Sequence, residues 1–455
     1  MSRRYPDGHL LYRNLARDYP TVVRGRGCWL FDDEGREYLD ACGGAYVACL
    51  GHGVPEVVEA VAAQIRQVAF VSGMSFTNQP AEELAELMAG LSLGDLDRFY
   101  FLSSGSDAVE AALKLARQYW VESGRPEKSV IVAAAPGYHG NTLLTLSAGA
   151  RGHYREAFGP WLLDIPKIPA FYPYRCPCRG GDPACPRCGG TALEEALLRI
   201  GPGKVAAFLA EPVGGSSTGA SVPGSRYWKT IREICDRHEV LWISDEVLVG
   251  AGRTGTWSAL EPYDAVPDIQ VMGKGISGGY APLASVAAPT RIVDVLARGG
   301  KSVLHAQTYS HTPMMCAAGV AAIRHLKEHR LIERCREMGP RLLHALEPLR
   351  AHPAVGDIRG RGLLAGVEFV ADQASRAPFP RAERFAERFT AAAQDAGLMV
   401  WPNTGHADGS NGDLVVLAPP YIITEKEIAE IVTRFERALE SLVRATPRSP
   451  LTVDR

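Results

Sequence analysis

A chain of 455 residues is long enough for two domains and a large buried core, and 46% hydrophobic with 22% charged residues is the balance of a globular protein in water. A formal net charge of −2 leaves no basic footprint, which argues against nucleic acid and anionic membrane as partners. The opening run Met1-Ser2-Arg3-Arg4-Tyr5-Pro6-Asp7 has basic residues with no apolar stretch behind them, so neither a signal peptide nor a membrane span is expected and the cytoplasm is the expected location.

Between residues 20 and 50, Gly27-Cys28-Trp29-Leu30-Phe31, the acidic glycine-closed turn Asp32-Asp33-Glu34-Gly35 and Tyr38-Leu39-Asp40-Ala41 predict two strands of a small antiparallel element. Over 55–68 the residues Val57, Val58, Val61, Ala62, Ile65 and Val68 recur at helical spacing, and 81–91 predicts a second helix with Leu84, Leu87 and Met88 on one face. The texture then becomes strand, turn, helix, repeated. Residues 98–102 predict a buried strand that runs into Ser103-Ser104-Gly105-Ser106-Asp107 and a helix over 108–121. Further short apolar runs at 130–132, 205–209, 240–243, 269–272 and 283–286 read as central strands, with helices near 191–200 and 225–238 between some of them. Such alternation builds a parallel or mostly parallel sheet covered on both faces. Beyond residue 317 the pattern is helical (317–329, 331–349), then gives short strands at 363–370 and 414–417 around another helix, and a last helix over 424–443. The tail 447–455 reads as frayed. The expected class is α/β: a large domain over 56–325, and a smaller α+β domain built from both chain ends, 1–55 and 326–455.

In an open parallel sheet, ligands bind in the crevice beyond the carboxyl ends of the strands. The residues just past those ends form a set: Ser104-Gly105-Ser106, Glu211-Pro212-Val213, Asp245-Glu246-Val247 and Lys274, which stands among glycines in Val271-Met272-Gly273-Lys274-Gly275. Glycine with two hydroxyls at a helix start suits a phosphate, although Ser104 also fits a plain N-cap. Asp245 likewise has the alternative reading of a capping carboxylate. Phosphate donors, a carboxylate and a lysine in one crevice fit pyridoxal phosphate: the lysine forms the Schiff base and the aspartate pairs with the protonated pyridine nitrogen. Tyr138-His139-Gly140 follows another strand end, where an aromatic could stack on the cofactor ring or pack under a loop.

Taken together, SGSDAVEAALKLARQY, GYHGNT, AEPV, ISDEVLVGAGRTG, VMGKGISGGYAPL and TYSHTP resemble the class III pyridoxal-phosphate-dependent aminotransferases, the ω-aminotransferase group, in register from about residue 25 to residue 421. The resemblance implies a fold type I transferase. It also implies Lys274 as the Schiff-base lysine, Asp245 on the pyridine nitrogen, and Val247 under the ring opposite Tyr138, with His139 beside it. Ser104, Gly105 and Ser106 would stand at the phosphate, and Glu211 would be a pocket carboxylate. Thr308 would add a hydroxyl to the phosphate from the partner subunit, which implies an obligate homodimer, with a tetramer as the larger alternative. The implied reaction is a ping-pong transfer between an amine donor and a keto-acid acceptor, with Lys274 moving the proton.

Members that use 2-oxoglutarate or pyruvate often carry an arginine ahead of a Pro-Pro turn in the last domain. Here the region reads Leu398-Met399-Val400-Trp401-Pro402, then Ala418-Pro419-Pro420-Tyr421, with Trp401 in the place of the arginine. This weakens glutamate as donor and favours pyruvate over 2-oxoglutarate, with an amine or ω-amino acid as donor. Trp29 and Tyr46 are candidate pocket walls, with core packing as the alternative for each. An aminomutase or amino-acid epimerase on the same cofactor stays open, as does a non-catalytic cofactor-bound scaffold.

Of the ten cysteines, six are scattered, and Cys176, Cys178, Cys185 and Cys188 crowd into an insertion at about 172–190. Two close pairs could enclose a structural zinc, although the first pair has one intervening residue where two to four are usual; free thiols or a redox-labile loop are the alternatives.

Overall fold

The computed structural model of the chain describes residues 3–444 apart from 180, 181 and 183. The predicted tail 447–455 lies outside the described residues.

The amino-terminal hairpin forms as expected, with one strand more. Val22–Arg26 (β1), Trp29–Asp32 (β2) and Glu37–Asp40 (β3) pair antiparallel, with Trp29 opposite Leu39. Next comes a seven-stranded sheet. Its strands in chain order are Leu96–Leu102 (β4), Val130–Ala135 (β5), Lys167–Pro169 (β6), Val205–Ala210 (β7), Leu241–Glu246 (β8), Ile269–Met272 (β9) and Ala284–Pro289 (β10). In space the order is β4-β10-β9-β8-β7-β5-β6, and β10 alone runs against its neighbours. The five central strands read as near-continuous apolar runs because both faces are covered. Leu209, Ile243 and Val271 pack under helix Gly105–Glu122, while Phe208 and Trp242 pack under helices Ala192–Ile200 and Tyr227–Arg237, with Trp228 stacked on Trp242 at 5.1 Å.

The prediction of a buried strand at 98–102 is corrected. β4 is the sheet edge, and Arg98, Phe99 and Tyr100 are incompletely buried. An edge strand has a partner on one side only, so its apolar run reflects packing by the loop at 305–311 rather than a central place.

The carboxyl-terminal part builds an antiparallel sheet from Val355–Gly360 (β11), Ala365–Phe369 (β12), Trp401–Thr404 (β14) and Asp413–Leu417 (β15), in the order β11-β12-β15-β14. Helices Phe385–Asp395 and Glu425–Arg444 cover it through a cluster of Phe369, Phe389 and Phe435. The short strand Leu398–Met399 (β13) leaves this region to pair in parallel with β3, which ties the two chain ends into one sheet. Among the described residues, no helix is long and apolar enough to cross a membrane.

Candidate active site

Successive side chains of a strand point to opposite faces, so the paired acids that end β8 are separated by geometry. Asp245, 5% exposed, turns toward the crevice: its Oδ2 lies 2.8 Å from His139 Nδ1 and its Oδ1 accepts from the Val247 amide at 3.1 Å. Glu246 turns the other way into a fully buried cage. There Ser258 Oγ (2.6 Å), the Ala259 amide (2.7 Å) and Gln270 Nε2 (2.8 Å) donate to it, and burial, outweighing those donors, pushes its carboxyl up to about 7.

β9 ends at Met272, and Lys274 follows two residues later with φ +46, in the left-handed region that non-glycine residues seldom occupy. This turn aims its half-buried side chain into the same crevice. Burial depresses the ammonium's pKa; Asp245 and Glu211 act against that, and Arg151 adds to it. Among the described residues, the Lys274 Nζ has no hydrogen-bond partner.

Glu211 follows β7 and is held by the Tyr138 amide (3.1 Å), the Gly215 amide (2.9 Å) and Ser217 Oγ (2.7 Å), with burial raising its pKa against them. Gly105 and Ser106 open helix Gly105–Glu122, whose first amides have no partner within the helix. A Cβ on Gly105 would stand 2.6 Å from Val247 Cγ1, so only glycine lets the helix start and the Val247 side chain share this floor. Arg151 lies over the Tyr138 ring at 4.5 Å and donates to Ser216 Oγ at 2.8 Å, while its Nε is buried without a partner. Tyr46 and Trp401, ring centroids 5.7 Å apart, close the far side. Together these residues line a cavity of about 300 Å³.

The profile of the family described as aminotransferase class-III matches residues 14–439. A fission yeast (Schizosaccharomyces pombe) protein named an uncharacterized aminotransferase is 39% identical over 96% of each chain. The taurine–pyruvate aminotransferase of Bilophila wadsworthia is 35% identical over 95% of each. Among solved structures, an amine transaminase from an uncultivated Pseudomonas species, in its pyridoxal-phosphate-bound form, superposes with a TM-score of 0.88 at 32% identity, covering 96% of this chain and 98% of its own. The chain belongs to the class III aminotransferase family. Its fold, fold type I, is shared with ω-transaminases of known structure.

The aminotransferase's own residues fit the pyridoxal phosphate that the family implies. The cavity offers one amine with a free valence (Lys274), a buried carboxylate that could meet a ring nitrogen (Asp245), an apolar floor (Val247) and helix-start amides beside Ser106 Oγ. A side chain at Gly105 would fill the bend between floor and helix. Bound there, the cofactor supplies an aldehyde and an electron-withdrawing ring.

Three expected site residues stand elsewhere. Ser104 is exposed and spends its hydroxyl as the N-cap, accepting from the Asp107 amide at 3.2 Å, so the capping reading holds for it. Trp29 does not line the cavity: its Nε1 donates to Glu427 at 2.9 Å and the Arg434 guanidinium lies over its ring, so it joins β2 to the last helix. Thr308 is exposed on the loop before helix Pro313–Glu328, outside the cavity of a single chain. Conversely, Arg151, Tyr154 and Ser216 of the aminotransferase line the cavity without having been singled out. Arg151 follows the crevice loop of β5, and only its glycine-flanked setting, Gly149-Ala150-Arg151-Gly152, hinted at a special place. The four clustered cysteines do converge, outside the cavity lining, with their sulfurs all within 4.8 Å of one another.

Proposed function

We propose that this aminotransferase moves an amino group from an amine or ω-amino acid to a keto acid, pyruvate in preference to 2-oxoglutarate, in a ping-pong sequence. The observation that carries the transfer chemistry is the meeting of Lys274 with the Asp245–His139 pair in one cavity. In this reading Lys274, its basicity moderated by burial, takes the proton from the substrate carbon that bears nitrogen and returns it in the reverse half. Asp245, oriented by His139, holds a proton at the ring nitrogen. Gly105 and Ser106 hold the phosphate, Val247 and Tyr138 flank the ring, and Glu211 keeps the Tyr138 loop in place.

The acceptor preference rests on Arg151. It presents the guanidinium that the last domain lacks, stacked on Tyr138 with one buried Nε unsatisfied, which suits one carboxylate. A second carboxylate, as in 2-oxoglutarate, would face Trp401 and Tyr46, walls that offer a lone buried hydroxyl, while the second guanidinium of the lining, Arg13, is exposed. The pyruvate named for the Bilophila relative agrees with this reading.

The same reading takes Thr308 to act from one protomer on the other's phosphate in a homodimer. In support, Phe70, Met74, Phe76, Leu304 and Tyr309 expose apolar surface beside that loop, Met74 at 91%. We also keep 1–55 with 326–455 as one small domain and 56–325 as the large one, which the β3–β13 pairing favours. The cytoplasm is the proposed location, since none of the ten cysteines is in a disulfide, the state kept in a reducing compartment.

The test is a panel of amines and ω-amino acids against pyruvate and 2-oxoglutarate, with each half-reaction followed by the cofactor's visible absorbance. Turnover with pyruvate exceeding that with 2-oxoglutarate supports the proposal. Conversion of a single substrate without any keto acid would replace it with an aminomutase or epimerase.

A further inference from the structure

The cysteine cluster belongs to none of the chemistry above. Cys176 Sγ lies 3.3 Å from Cys178 Sγ and 3.6 Å from Cys185 Sγ, and Cys178 Sγ lies 3.4 Å from Cys188 Sγ. None of the four is in a disulfide, so no disulfide accounts for this gathering. Two disulfides would draw four sulfurs into two separate pairs about 2 Å long, with no reason for the pairs to meet. Here all four sulfurs form one group, each within 4.8 Å of the rest. A tetrahedral zinc thiolate site, with Zn–S near 2.3 Å, needs sulfurs about 3.8 Å apart, so to seat the ion the pairs at 3.3, 3.4 and 3.6 Å would open by a few tenths of an ångström and the wider pairs, at up to 4.8 Å, would close.

The backbone is shaped for the task. Cys176-Pro177-Cys178-Arg179 closes through the Arg179 amide on the Cys176 carbonyl at 2.9 Å, with Arg179 in the left-handed region at φ +55. Cys185-Pro186-Arg187-Cys188-Gly189-Gly190 makes a one-turn helix: the Gly189 amide donates to the Cys185 carbonyl at 2.7 Å, and Gly190 ends the turn at φ +88. The two knuckles thereby turn their thiols toward each other. Four thiolates around a divalent ion carry a net charge of −2, and Arg179 and Arg187, inside the two knuckles, stand where they can offset it.

We infer that Cys176, Cys178, Cys185 and Cys188 bind one structural zinc ion. Four thiols each bind the ion as a thiolate, four protons leave to solvent, and no sulfur is oxidised. With its four positions filled by protein the ion keeps no open site, so its work is mechanical. The knuckles directly follow Tyr172 and Arg175, whose hydroxyl and Nε reach the buried Glu368 of β12 at 2.5 and 2.7 Å. Arg359 also reaches Glu368, at 2.7 Å, and donates to the Thr218 carbonyl at 2.6 Å, in the loop that presents Ser216 to Arg151 and Ser217 to Glu211. The zinc therefore pins one end of a chain of contacts that reaches the wall of the cavity.

The experiment is elemental analysis of the holoenzyme purified without added metal, beside Cys178→Ser/Cys188→Ser. One zinc per chain in the parent and less than about a tenth in the double variant is the expected result. A second measurement guards against a variant that does not fold. Zinc released to a chromophoric chelator is followed as the parent's thiols are blocked with a methanethiosulfonate, and release should track the modification of these four cysteines by peptide mapping. Cells grown on cobalt should give protein whose difference spectrum against the similarly grown double variant shows the intense visible bands of tetrahedral cobalt thiolate. A parent without stoichiometric metal, iron in place of zinc, a mass 4 Da low from two disulfides, or zinc retained after all four cysteines are blocked would each overturn the assignment.

Discussion

The two walls of the cavity are built on different terms. The inner wall consists of Lys274, Asp245, Glu211, Tyr138 and Gly105, each within a few residues of a carboxyl strand end. Its two carboxylates are tied by main-chain amides and a histidine: Asp245 by Val247 and His139, Glu211 by Tyr138 and Gly215. The outer wall is Tyr46, Arg151 and Trp401, drawn from a kinked turn, a loop and a sheet edge far apart in the chain. It leaves the Tyr46 hydroxyl and Arg151 Nε buried without partners. A wall whose carboxylates are tied holds them in one fixed geometry around the single free amine, whereas a wall of open valences is suited to groups that come and go.

That contrast can be broken at graded cost. Lys274→Ala should lower turnover by at least about a thousandfold, since no other amine stands at its position; a variant with a tenth of parental activity would remove Lys274 from the chemistry. Gly105→Ala comes next. Its methyl would collide with Val247 Cγ1, so the affinity for pyridoxal phosphate, measured by equilibrium dialysis, should fall at least about tenfold. Adding Val247→Ala should recover part of the loss, and no recovery would mean that the helix start, not the floor, had been damaged.

Arg151→Ala tests the outer wall. The KM for pyruvate should rise roughly 10- to 100-fold, the worth of a charge-assisted carboxylate contact, while an acceptor aldehyde without a carboxylate changes by less than about threefold. Equal losses for both would show that Arg151 merely supports Tyr138.

An effect on stability and not on turnover sits behind the inner wall, at Glu246. Its carboxyl is raised from 4.5 to about 7 in the folded chain, so the folded state holds a proton that the unfolded state releases. The stability tied to that proton is intact below about pH 4.5 and is lost as pH rises toward 7. In Glu246→Gln, unfolding free energy should therefore gain on the parent across this window, by up to about 3 kcal/mol. Parallel curves would mean that the cage of Ser258, Ala259 and Gln270 compensates the burial fully.

The inner wall was legible because strand ends and helix starts are local events: an apolar run stops, a glycine or acid follows, and the doubly wound sheet brings all such points to one crevice. Other features were not. The strands β1, β6, β11, β13 and β14 are short or mixed in composition, and their existence depends on a neighbour to pair with. Trp29 and Trp401 had the same candidate role by residue type, yet only Trp401 reaches the cavity, since β14 runs past it while β2 faces the last helix.

By itself the sequence determined the α/β class, the family and the residues that stand at the strand ends, because each is written within a window of about ten residues. Tertiary structure decided the opposite fates of Asp245 and Glu246, the arrival of Arg151 over Tyr138 and the convergence of four sulfurs. Those outcomes depend on which face a side chain takes and which distant segment meets it, and such information exists only once the chain has closed on itself.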